Sequence, residues 1–159
     1  MAKKSSKKLT KENVAPTEIK TNESPFVVVN PNLNTKSIWE LMNEIKPKTG
    51  LSNDAIVKEI RPIAERFARE NHSYDECAWF TAEAELHLRN IYALYCNGTT
   101  LLSITVVKTD PKEIRPLAQT IAGQKNSLQV LHWMYAERTF LAQELVNRAK
   151  ICAKILVEN

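Results

Sequence analysis

The sequence predicts an all-α fold in which two helical hairpins pack as a four-helix core, and three observations carry that expectation. Apolar residues recur at intervals of three and four through most of residues 35–157, the period of amphipathic helices. The segment KEIRPIA at 58–64 returns as KEIRPLA at 112–118. The composition, 43% hydrophobic and 25% charged over 159 residues, is that of an ordinary globular domain with enough chain for one core.

Taken in order, residues 1–24 hold almost no large apolar side chains, so they read as a disordered tail. Residues 25–159 then form a single helical domain. PFVVVN at 25–30 reads as an extended segment or edge strand, and TLLSITVVK at 100–108 as a strand that pairs with it or as a connector. Ile38, Trp39, Leu41, Met42 and Ile45 make a short helix over 35–46, stopped by Pro47 and Gly50. Ser52 is an N-cap for the next helix, whose apolar residues Ile56, Ile60, Ile63 and Phe67 are spaced four, three and four apart. Pro62 inside that run predicts a bend or a fresh start. A helix over 75–98 closes at Asn97 and Gly98 in a left-handed C-cap. Asp110 and Pro111 open a helix from 111 to about 124, and the last helix runs from about 127 to 157.

Sliding residues 58–83 over 112–137 without a gap gives eleven identities in 26 positions, from Lys58/Lys112 through Arg61/Arg115 and Trp79/Trp133 to Glu83/Glu137. Amphipathic periodicity accounts for shared apolar spacing, but not for a shared Arg-Pro or a shared Trp-x-x-Ala-Glu. The expectation is an internal duplication with a period of 54 residues, repeat 1 at about 50–98 and repeat 2 at about 104–152. One hairpin cannot bury its apolar face alone, so two should pack about an approximate two-fold axis.

Charge is unevenly distributed. Six of the 22 basic residues stand in the first 24 positions against three glutamates, while the rest of the chain is close to neutral. Lys3, Lys4, Lys7, Lys8 and Lys11 fall within nine residues and lack aromatic interleaving, so they suit contact with nucleic-acid phosphates or another polyanion without reading bases. Three cysteines with no C-x-x-C pair suggest a reducing compartment. No signal peptide or 18-residue apolar stretch occurs, so a cytoplasmic protein without membrane contact is expected.

Placed at 100° steps, Glu83 falls inside the apolar arc of its helix, and Glu137 holds the equivalent place. Arg61 and Arg115 border the apolar faces of the two first helices. Buried carboxylates need partners, so Arg61, Arg115, Glu83 and Glu137 are expected to form structural buried ion pairs. The competing reading is a carboxylate-bundle metalloenzyme using Glu59, Glu83, His87, Glu113 and Glu137. Its spacing is poor, because Glu83 and His87 are four apart and Leu141 replaces the histidine in the second copy. No nucleophile elbow, Walker loop or dinucleotide-binding loop is present, so no catalytic residue, metal or cofactor is expected.

SIWELMNEIKPKTGLSNDAIVKEIRPIAERF resembles a helix-turn-helix, with Gly50 in the turn and Ile56 six residues later. That resemblance, taken with the basic tail and the small size, suggests as an alternative a DNA-binding adaptor of the small phage-packaging or regulatory type. Pro47 and the extra turn residues depart from the motif, and Asn53, Asp54 and Lys58 suit a phosphate-lined groove poorly. The favoured expectation is a non-enzymatic helical interaction or scaffold protein. It self-associates or docks a protein partner through its core, and its tail adds a polyanion contact.

Overall fold

A computed structural model describes residues 36–97 and 109–157, with side chains up to residue 149. The basic tail and the two β-branched segments at 25–30 and 100–108 lie outside the described residues. Within them the chain is all-helical: α1 Ile38–Lys48, α2 Asn53–Arg69, α3 Tyr74–Cys96, α4 Pro111–Gly123 and α5 Leu128–Val157.

Local chemistry accounts for the helix ends. Ser37 and Ser73 open α1 and α3 with full capping boxes, reciprocated by Glu40 and Glu76. Ser52 accepts from the Ala55 N–H at the start of α2, and Asp110 accepts from the Lys112 N–H at the start of α4, as their residue types predict. Helix α1 runs past the expected stop, with Pro47 inside its last turn. Termination comes from Thr49, whose hydroxyl donates to the Lys46 carbonyl at 2.6 Å, and from Gly50 at φ +65°. A Cβ at Gly50 would also meet the Arg148 guanidinium at 3.1 Å.

Pro62 and Pro116 sit inside α2 and α4, and neither helix restarts there. Each proline lacks the N–H that would serve the lysine carbonyl four residues back, and both prolines are exposed.

The two inter-helix turns match at positions 54 apart. The Glu70 N–H donates to the Phe67 carbonyl and the Gln124 N–H to that of Ile121. Asn71 follows at φ 60° and Lys125 at φ 53°. Ser73 and Ser127 then cap α3 and α5 by accepting from Glu76 and Val130 N–H groups.

The packing crosses between the hairpins. Helices α3 and α5 form the central pair, α4 lies against α3, α2 lies against α5, and α1 rests on both α3 and α5. Each first helix therefore packs on the second helix of the other hairpin. Two apolar clusters result. One joins Leu41 and Ile45 of α1 and Ile56 and Ile60 of α2 to Leu88 and Ile91 of α3 and Phe140, Leu141 and Leu145 of α5. The other joins Ile114, Ala118 and Ile121 of α4 to Cys77, Ala78 and Ala82 of α3, Leu131 of α5 and Phe67 of α2.

Candidate functional site

The four residues expected as buried ion pairs are placed differently. Arg61 and Arg115 are exposed, and Glu83 and Glu137 are only half-buried. Glu137 pairs with Lys46 of α1 at 2.8 Å, and Glu83 accepts from the Thr109 hydroxyl at 3.5 Å. The expected Arg–Glu pairs are thus corrected. The buried line of α2 runs through Ile56, Ile60 and Phe67, and Arg61, a 100° step from Ile60, turns outward beside the exposed Pro62. Arg115 does the same beside Ile114 and Pro116.

The buried pair lies instead between the two central helices. Glu85 of α3 is 4% exposed and Arg138 of α5 is 3% exposed, and the Arg138 Nε and Nη2 both donate to Glu85 Oε2 at 3.3 Å. Arg138 Nη1 donates to the Met134 carbonyl at 3.0 Å. The other carboxylate oxygen of Glu85 accepts from Arg89 Nη2 at 2.9 Å, and Arg89 Nη1 reaches the Lys36 carbonyl at 2.8 Å. Burial pulls the Arg138 guanidinium below its ordinary range while Glu85 pulls it back up. Arginine, the most basic of the side chains, is the natural cation for such a place. The network ties α3, α5 and the entry to α1 together.

Sequence reasoning missed this pair because it followed residues matched at 54. Glu85 corresponds to Thr139 and Arg138 to Ala84, so the pair has no counterpart in the repeat. The usable signal was a charge inside a helix that is apolar around most of its circumference. Helix α3 buries Cys77, Thr81, Ala84, Glu85, Leu88 and Tyr92, a range of directions that one wheel arc does not cover.

A second cluster surrounds Phe67. Tyr135 stacks on its ring at 4.0 Å, and His132 and Phe80 meet it edge-on at 5.6 and 5.9 Å. His72 lies 5.1 Å from Phe67 and 4.8 Å from Phe80, and its Nε2 is 2.9 Å from Glu70. Burial, and then the nearby His72, push the His132 imidazole below its ordinary value. On α1, Glu44 accepts from the Tyr92 hydroxyl at 3.1 Å and pairs with Lys36. Those two hydrogen bonds, that of Lys36 first, hold its carboxyl below the usual range.

Of the metal candidates, Glu59 and Glu113 are exposed and His87 is half-buried. Among the described residues no three His, Cys, Asp or Glu side chains converge to hold a metal ion. Gly50 does lie in the turn expected from the helix-turn-helix likeness, but α1 takes its main contacts from α3 and α5 rather than from α2. Lys3, Lys4, Lys7, Lys8 and Lys11 lie outside the described residues. No helix among the described residues is long and apolar enough to cross a membrane.

No protein-family model matches the chain, and no match emerges among curated proteins or solved structures.

Proposed function

We propose that the chain is a duplicated helical hairpin that works as a non-enzymatic interaction module, self-associating through exposed helix faces while its N-terminal lysines contact a polyanion. One observation carries this reading. Five of the eleven matches form the unbroken run 58–62/112–116, and in both copies four of those five residues are exposed: Lys58, Glu59, Arg61 and Pro62, and Lys112, Glu113, Arg115 and Pro116. Over the same alignment the buried pairs are mixed: Ile60/Ile114 and Ala82/Ala136 are kept, whereas Phe67 and Cys77 stand opposite Ile121 and Leu131.

Folding does not account for the exposed part of that run. Exposed substitutions away from caps and ion pairs usually change stability by within about 0.5 kcal/mol, so stability leaves Lys, Glu and Arg free to vary. The proline shapes the helix, but its charged neighbours do not. Contact with another molecule supplies a reason for identical exposed charges on both helices. Meanwhile Glu85 pairs with Arg138 and Glu137 with Lys46 across helix contacts, which supports a structural use for these two acids.

The test uses the full chain after nuclease treatment. Sedimentation velocity across a concentration series should show a species heavier than the 18.1 kDa monomer. A monomer at every concentration defeats self-association. For the tail, duplex-DNA affinity should fall with salt at a log–log slope of about −4 to −5 if all five lysines meet phosphates. Replacing Lys3, Lys4, Lys7, Lys8 and Lys11 by glutamine should bring the slope close to zero. An unchanged slope would remove the tail from the interaction.

A further inference from the structure

The solvent face of α2 is self-complementary in charge, and we infer that it is where a second copy of this chain docks, antiparallel and about a two-fold axis. This deepens the self-association reading above and rests on it. At 100° per residue, Asp54, Lys58, Glu65 and Arg69 fall within about 60° of one another around α2. All four are exposed. Asp54 and Arg69 are equally far from the Arg61–Pro62 peptide, and so are Lys58 and Glu65. Laying a second α2 antiparallel across that midpoint sets Asp54 opposite Arg69 of the second copy and Lys58 opposite its Glu65. The symmetry then repeats both pairs, giving four contacts of opposite sign with no gap in register.

Shape agrees with charge. A shallow recess on this face is lined by Asp54, Val57, Lys58 and Arg61, and Val57 is one of the few large apolar side chains exposed among the described residues, at 38%. The antiparallel arrangement brings Glu65 and Arg69 of the second copy to that recess. Arg61 lies beside the axis, near its own symmetry mate, with Glu65 one turn on in the same helix to offset the repulsion.

Within one helix the same residues offer Asp54→Lys58 and Glu65→Arg69 pairs at i,i+4, the favoured acid-first order. Neither closes to ion-pair distance among the described residues. Arg69 Nε donates instead to the Glu65 backbone carbonyl at 3.2 Å.

Helix α4 shows that the pattern does not come with the repeat. It keeps Lys112 in the place of Lys58, but Gln119 and Gly123 replace Glu65 and Arg69, and Lys108 replaces Asp54. The α4 face therefore has no acid–base pairing with itself. A self-complementary face predicts a closed dimer rather than a growing filament.

The experiment is a charge swap read by sedimentation velocity on nuclease-treated full chain. Lys58→Glu with Arg69→Glu makes the face acidic, and Asp54→Lys with Glu65→Lys makes it basic. Each variant alone should sediment as a monomer, with the dissociation constant raised at least about tenfold. An equimolar mixture should recover a one-to-one heterodimer, weakened by added salt. Thermal melts of each variant confirm that the fold is retained, as exposed positions allow. A wild-type monomer overturns both this inference and the self-association reading. Dimers that persist in both variants, or a mixture that stays monomeric, overturn the α2 face and leave self-association standing.

Discussion

The turn from α2 to α3 and the turn from α4 to α5 have the same backbone and different surroundings. Both end a helix with a carbonyl three residues back accepting the cap N–H, pass through one residue at positive φ, and restart on a serine cap. Even the reach across the turn is kept: His72 lies on Phe80, and at the matching positions Asn126 Nδ2 approaches Met134 Sδ at 3.9 Å. Yet one turn is wrapped in a five-ring cluster with two histidines, and the other is not. The buried Glu85–Arg138 pair is likewise unmatched. Local rules reproduce a backbone wherever their residues recur, whereas the charges and rings that distinguish the halves are placed by what each helix packs against.

The largest expected effect breaks the comparison at its most asymmetric point. Arg138→Ala should cost about 3 to 5 kcal/mol in denaturant unfolding, because Glu85 would be left buried with only the partly exposed Arg89. Glu85→Leu combined with Arg138→Met should cost less than Arg138→Ala alone, since no charge is then stranded. Additive losses below about 1 kcal/mol would show that water reaches the pair.

A matched pair of core substitutions tests the symmetric side. Ile60 and Ile114 are 1% and 2% exposed at equivalent positions in the two clusters. Ile60→Ala and Ile114→Ala should each cost about 2 to 5 kcal/mol, and similar values are expected. A difference of several kcal/mol would mean that the α1 cover, present over only one cluster, dominates both packing energies.

The positive-φ residues offer a smaller and opposite effect. Lys125→Gly should stabilise by about 0.5 to 1 kcal/mol, because glycine relieves the left-handed strain that a lysine carries. Asn71→Gly should gain less, as asparagine tolerates that region. Equal gains would indicate that the two turns are strained alike despite their different residues.

The smallest effect is in pH dependence. The His132 imidazole is held below its ordinary value of 6.5, mainly by burial, so the folded state binds fewer protons than the unfolded state. Its contribution to stability is complete above pH 6.5 and is lost as pH falls through that value toward the lowered one. Thermal melts between about pH 5 and 7 should show a slope that His132→Gln reduces. An unchanged slope assigns the titration elsewhere.

By itself the sequence determined the helices and much of their punctuation. Ser52 and Asp110 announce helix starts because a short polar side chain satisfies the free N–H groups there. Ile56, Ile60 and Phe67, and Ile114 and Ile121, announce buried lines because a thin, strongly amphipathic helix has one apolar stripe and one way to face inward. The 54-residue register was also plain. Only the tertiary structure decided that α2 lies on α5 and α4 on α3, because the apolar stripe of a helix states that it needs a cover without stating which helix supplies it. The same limit moved the ion pair. Glu83 and Glu85 are both acids in an apolar helix, but α3 is enclosed by several neighbours, and Glu85 is the one that meets an arginine fifty-three residues away on α5.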